Sequence, residues 1–165
     1  MHSEGGAIAI QLQHKDVFDC EKTTPNLMTF EQLNRLKEKF VYAAKIARDS
    51  YFDGVEPHGA HGYFLNQFFS PERNRRTDEY GGSLKKRMRI GIEIVREILE
   101  NTDSEMLMLY RHTPVGMGYT LEDSIEFAVE LEKASVDIMD ISPSTAPKGK
   151  HAELAGKIKA KLEIP

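Results

Sequence analysis

Four short apolar runs alternate with four longer segments of helical period, and this constrains the fold more than anything else in the sequence. A short apolar run bounded by turn residues reads as a buried strand, and apolar residues three and four apart read as one helix face. Residues 7–12, AIAIQL after Gly5-Gly6, are the first strand. Thr29 starts a helix carrying Phe30, Leu33, Leu36, Phe40, Ala44 and Ala47, and Gln32 three residues on completes a capping box. Residues 53–57 are a second strand, followed by a long loop rich in Gly, Asn and Arg that runs to Gly82. Ser83 is placed to cap the next helix, whose apolar stripe is Leu84, Met88, Ile92, Val95 and Leu99. Residues 106–110 are the third strand. Thr120 with Asp123 caps a helix bearing Ile125, Ala128 and Leu131, residues 136–141 are the fourth strand, and residues 151–162 the last helix.

Strands alternating with helices of this length predict a parallel sheet covered by helices. The apolar strands predict burial on both sheet faces. Pattern alone leaves a doubly wound sheet and a (β/α) barrel both open. No Gly-x-Gly-x-x-Gly and no P-loop follows the first strand, which weighs against the nucleotide-binding doubly wound folds.

Composition removes other classes. At 165 residues the chain suits one domain, since domains run to roughly 100–200 residues. An apolar fraction of 40% and a charged fraction of 29% are globular values. No stretch approaches the ~18–20 apolar residues of a membrane span, and the first residues lack a signal-peptide layout. A net charge of −4 argues against nucleic acid and anionic membranes as partners. The one cysteine, Cys20, cannot form an internal disulfide, so a cytoplasmic location is expected.

Chemistry-bearing residues collect where the predicted strands end. Gln11 and His14 close the first, His58, His61 and Tyr63 follow the second, Arg111 and His112 the third, Ser142 and Ser144 the fourth. Parallel α/β folds carry their sites on that edge. Each residue alone has a plain reading as a solvated loop group or an ion-pair partner. Their convergence points to a shared site for a small-molecule ligand. Two histidines three apart beside a tyrosine suit binding of a ligand oxygen and proton delivery. A metal is disfavoured, because no third ligand has suitable spacing. In the loop, Arg73, Arg75 and Arg76 alternate with Glu72, Asp78 and Glu79, which predicts a loop bound by Arg–carboxylate pairs rather than a nucleic-acid patch.

Three segments carry a resemblance. Residues 58–63, HGAHGY, continuing to Asn66-Gln67-Phe68, resemble the substrate-site motif of the Old Yellow Enzyme family of FMN-dependent NADH:flavin oxidoreductases and ene-reductases. Residues 74–83, NRRTDEYGGS, resemble its Asn-x-Arg-x-Asp-x-Tyr-Gly-Gly-Ser signature, and residues 2–14 resemble the approach to its third barrel strand. The resemblance runs nearly end to end. It implies an α/β fold, a partial TIM (β/α) barrel whose four βα units correspond to barrel units three to six, with residues 1–165 as one partial barrel domain. The implied function is an FMN-dependent enzyme using NADH or NADPH to reduce the activated C=C bond of α,β-unsaturated carbonyl or enoate substrates. Gln11 would hydrogen-bond the flavin ring, and Arg111 would stabilise negative charge on reduced flavin. His58 and His61 would hold the substrate carbonyl oxygen, His58 also facing the cofactor, and Tyr63 would donate the proton.

Some positions depart from the family. Lys15-Asp16 stand after His14 where small residues are usual, and the segment to Met28 is short. Pro57 replaces an aliphatic residue and removes a ladder donor beside His58. Tyr51 and Ser135 occupy turn positions that are commonly glycine or another small residue. The family's phosphate site belongs to its last two strands, after the units found here. The alternative expectation is therefore a catalytically incompetent half-barrel that needs a partner chain to complete FMN binding, with homo-oligomers forming through open barrel edges.

Overall fold

The computed structural model describes residues 2–15, 17–18, 21–102, 105–144 and 150–165. Cys20 and Asp16 lie outside the described residues. The elements are β1 (Ala9–Leu12), β2 (Val17–Phe18), β3 (Glu21–Lys22), α1 (Phe30–Asp49), β4 (Gly54–Gly59), α2 (Phe64–Phe69), α3 (Leu84–Asn101), β5 (Leu107–His112), α4 (Leu121–Lys133), β6 (Ile138–Ile141) and α5 (Lys150–Lys159). Strands β1, β4, β5 and β6 form one parallel sheet in that order, and β2 and β3 form a separate antiparallel hairpin. Sequential parallel strands joined by helices are the βα repeat of a (β/α) barrel.

Both capping boxes form. Thr29 and Gln32 exchange bonds at the start of α1, and Thr120 and Asp123 do so at α4. Ser83 sits at the N-cap of α3, but its side chain makes no cap bond. Instead Arg87 donates to the Gly82 carbonyl at 2.6 Å and to the Phe69 carbonyl at 2.9 Å, tying the helix start to the preceding loop. Helices α1 and α4 end alike. At Tyr51 (φ 62°) and Ser135 (φ 70°) the backbone turns left-handed. The bonds Phe52 N–H to Ala47 O and Tyr51 N–H to Arg48 O, repeated as Val136 to Leu131 and Ser135 to Glu132, make both ends Schellman motifs.

The helix-facing side of the sheet is dry. Val55, Met108, Tyr110, His112 and Met139 pack beneath Leu33, Leu36, Phe40, Ile94, Ile98, Phe127 and Leu131, all buried. Tyr110 fills the gap over two glycines: a Cβ at Gly59 would collide with its hydroxyl, and one at Gly91 would lie 2.9 Å from it. On α3 the buried seam runs through Met88, Ile90, Ile94, Val95 and Ile98, whereas Ile92 and Leu99 are only half-buried. So many α3 positions are apolar that the three-and-four spacing reads equally well along two stripes. Phe30 is likewise 49% exposed, its ring lying against Tyr80.

Several sequence expectations are corrected. The opposite sheet face is not buried: Gln11 is exposed, Glu56 and Arg111 are half-buried, and Leu107 is 39% exposed. Apolar runs therefore report one covered face here, because period-2 alternation puts the polar members of β4, β5 and β6 on the other. Strands β4 and β5 extend two residues past the expected ends, so His58, Arg111 and His112 lie within strands. The expected loop to Gly82 contains α2, whose residues Phe64, Leu65, Asn66, Phe68 and Phe69 are buried. The Pro57 backbone stays in β4. Register toward β5 is defined at Gly54 and Val55 and resumes at His58 opposite Arg111.

The arginine-rich loop is held as expected. Arg76 makes two bonds to the Asp78 carboxylate, at 3.1 and 2.6 Å, and donates to the Pro25 and Met28 carbonyls at 2.6 Å each. Buried Asn74 donates to the Phe68 and Tyr80 carbonyls at 2.7 Å each. No helix among the described residues is long and apolar enough to cross a membrane.

Candidate functional site

The half-open sheet face carries the site. Alternation along β4 puts Glu56 and His58 on this face, and cross-strand register aligns them with their neighbours. Gln11 on β1 lies opposite Glu56, His58 lies opposite Arg111, and Arg111 lies opposite Asp140 on β6. Two rows result: Gln11–Glu56, and one step nearer the strand ends His58–Arg111–Asp140.

His58 is 3% exposed, and neither of its ring nitrogens has a hydrogen-bond partner among the described residues. Burial, reinforced by the nearby His61 and by the Arg111 cation, pushes its pKa down to about 4, so the imidazole is neutral at physiological pH. A neutral imidazole offers one N–H donor and one acceptor. Two unpartnered buried nitrogens are unusual in a folded protein and mark a place where a ligand's polar atoms fit. The ring meets His61 edge-on at 5.3 Å and Tyr63 at 5.2 Å between centroids.

The turn carrying His61 and Tyr63 is tightly held. His61 (φ 57°) and Gly62 (φ 76°) are both left-handed. Conformations of this kind persist where the surroundings over-determine them. The His61 N–H donates to Thr113 Oγ1 at 2.8 Å, the Gly62 N–H to Asn66 Oδ1 at 2.9 Å, and Gln67 Nε2 to the Gly62 carbonyl at 3.0 Å. Buried Asn66 is anchored in turn by Nδ2 on the Tyr119 hydroxyl at 3.0 Å. Tyr63 projects from the N-cap of α2, 38% exposed.

Arg111 pairs with Asp140 at 3.1 Å and donates to Ser142 Oγ at 3.0 Å. The same Ser142 hydroxyl bonds His61 Nε2 at 2.8 Å, which links β4, β5 and β6 across the strand ends. Gln11 Nε2 donates to Glu56 Oε2. Burial raises the Glu56 pKa and Asp140 adds to the rise, against the opposing effects of the Gln11 bond and Arg111.

The structure thus brings His58, His61, Tyr63 and Arg111 together, with Gln11 on the adjoining strand. It separates His112 from them. That ring faces the helices, fully buried against Phe69, Tyr119 and Phe127, with Nε2 bonded to Ser124 Oγ at 2.9 Å. His14 lies against Phe64, the rings tilted with centroids 5.1 Å apart, instead of joining the two rows. Ser144 is exposed. Sequence reasoning missed Glu56 and Asp140, although each stands two residues before a recognised site residue, the strand spacing of a shared face. Asn66, Thr113 and Tyr119 left no comparable signal, because their role depends on contacts across the fold. Beside the turn a cleft of about 550 Å³ lies between Thr23, Asn26, Gly62, Gln67, Arg73 and Arg75. No group of three metal-ligating side chains occurs among the described residues.

These residues fit a flat, polar, electron-accepting ring. A fixed cation (Arg111), an amide (Gln11) and an unpartnered buried imidazole (His58) share one surface. Residues 1–153 match the NADH:flavin oxidoreductase / NADH oxidase family. An NADH oxidase from Thermoanaerobacter brockii is 38% identical over 158 residues, covering 87% of this chain and 24% of the relative. An NADPH dehydrogenase from Halalkalibacterium halodurans is 36% identical over 158 residues, covering 86% of this chain and 46% of the relative. The solved structure of an old yellow enzyme homologue from Zymomonas mobilis superposes with a TM-score of 0.70 at 23% identity, covering 84% of this chain and 41% of that one. The chain spans between a quarter and a half of the length of these proteins. Family match and βα architecture agree: the chain belongs to the NADH:flavin oxidoreductase / NADH oxidase family, as four βα units of a TIM barrel.

Proposed function

We propose that this chain carries the ring-binding and substrate-binding part of an FMN site that uses NADH or NADPH to reduce the activated C=C bond of an α,β-unsaturated carbonyl or enoate. The observation that carries the reading is the buried, neutral His58 with two unpartnered nitrogens beside Arg111 on an open sheet face.

FMN, when bound, would supply the hydride exchange with NADH or NADPH, chemistry that cofactors and not side chains carry. Arg111, paired with Asp140, would hold the ring with a fixed positive charge that favours its reduced, anionic form. Gln11 offers its amide to the ring's polar edge. His58 and His61 bind the substrate carbonyl oxygen. His61 first exchanges Ser142 for that oxygen, since its Nε2 is bonded to Ser142 Oγ. Tyr63, exposed and in contact with His58, holds the proton for the substrate's α-carbon.

The test is FMN titration of the purified chain followed by visible absorption. Saturable uptake, with the bound flavin's visible absorbance bleached by NADH or NADPH, supports the reading. No uptake at high micromolar FMN would overturn the reading for this chain on its own. If enone turnover is present and survives both His58→Ala and Tyr63→Phe, the residue assignment is wrong.

A further inference from the structure

Gln11 has an amide that can face either way, and the structure shows what chooses. Its nitrogen limb is bonded to Glu56 Oε2 on the adjacent strand, at a position in register with it. An ionised carboxylate only accepts hydrogen bonds, so it can engage the NH₂ limb and never the carbonyl limb. The amide is planar, so a nitrogen tied to Glu56 leaves the oxygen on the other limb. Arg111 on β5 and Asp140 on β6 act on this carboxylate through their charges, and His58 stands two residues along its own strand on the same face. No other side chain is hydrogen-bonded to Glu56 among the described residues.

We propose that Glu56 is a positioning residue: by holding the Gln11 amide nitrogen it presents the Gln11 carbonyl oxygen as a fixed acceptor for a ring N–H of the bound flavin. The inference rests on the FMN reading of the site. It adds a direction to it, because oxidised flavin carries a single ring N–H, on its imide nitrogen. With the acceptor fixed in advance, no rotamer choice remains to be made on binding. Protonation of Glu56 gives it an O–H donor, which can bond the carbonyl limb and reverse the amide.

Two readouts test this, one of them free of cofactor. In the ligand-free chain the Gln11 side-chain NH₂ resonances, assigned by their loss in Gln11→Glu, are followed against pH by ¹⁵N–¹H NMR. They should titrate with a midpoint above the ordinary carboxylate value, since Glu56 is shifted upward, and should lose that titration in Glu56→Gln. The second readout compares FMN with 3-methyl-FMN, which lacks the imide N–H. The native chain should prefer FMN by about tenfold, the equivalent of one hydrogen bond of about 1.4 kcal/mol. Glu56→Gln, which keeps size and removes the one-way choice, should reduce the preference to about twofold. Glu56→Asp keeps the carboxylate and should recover part of it. Gln11 resonances that ignore pH, or a tenfold preference retained in Glu56→Gln, would overturn the proposal. If the chain takes up no flavin at all, the FMN reading of this chain fails, while the NMR titration alone still decides whether Glu56 governs the amide.

Discussion

Two histidines that look alike in sequence carry different burdens, and both report on pH. His58 is buried on the site face and His112 on the helix face, and burial lowers their pKa values to about 4 and about 3. A histidine whose folded pKa is depressed takes up its proton more readily in the unfolded chain. Its stabilising contribution is therefore intact above about pH 6.5 and declines as pH falls. For His58 the decline ends near pH 4, and for His112 near pH 3. Each pH unit crossed by one such group is worth at most about 1.4 kcal/mol. Urea unfolding midpoints should thus fall steadily from pH 7 to pH 4, and His58→Gln should flatten that slope. A midpoint constant over this range would contradict the burial of both rings. Sequence marked both residues as chemical, but only register, with His58 beside Arg111 and His112 beside Ile141, tells which face each takes.

At the scale of elements, caps and stops were the most legible feature, since a capping box spans four residues and needs nothing distant. The ends of α1 and α4 were legible in part. Tyr51 and Ser135 stand where the family commonly has glycine or a small residue, and both are left-handed. An L-residue pays about 1–2 kcal/mol in that region, while glycine gives back roughly 0.5–1 kcal/mol as unfolded-chain entropy. Tyr51 is 81% exposed, so its removal loses little packing. Tyr51→Gly should accordingly raise stability by about 0.5–1 kcal/mol, read as a higher thermal midpoint, and a lower midpoint would show that the tyrosine ring contributes packing. Helix α2 was invisible because six residues give too few turns for a period, and because Asn66 and Gln67 hold Gly62 through their side chains in place of a capping residue. Aspartates begin two strands in the same manner: Asp53 accepts from the Ile8 N–H at 2.6 Å and Asp137 from the Met108 N–H at 2.7 Å. Each carboxylate thereby sets the register of its strand against the preceding neighbour in the sheet.

For the whole molecule, the decisive fact is a parallel sheet covered on one side. Its outer strands are β1 and β6, and the Met139 N–H on β6 is met by the Pro165 carbonyl at 3.2 Å. β1 has the exposed pattern of an edge, with Ala9 and Gln11 in solvent. Exposed edges with apolar neighbours favour strand-to-strand association. At tens of micromolar the chain alone should elute from size exclusion larger than a monomer, shifting with concentration; a sharp monomer peak at every concentration would refute this. By itself, sequence determined the order and type of the main elements, two helix starts, the bound arginine loop and the family, because periodicity, caps and motifs are written in neighbouring residues. Tertiary structure alone decided which strand face stays open, that Arg111 and His112 part company, that Ser142 reaches His61 from 81 positions away, and that Glu56 holds Gln11. Such choices depend on register between strands far apart in the chain. One residue of slip would exchange the two faces, and no local spacing records that.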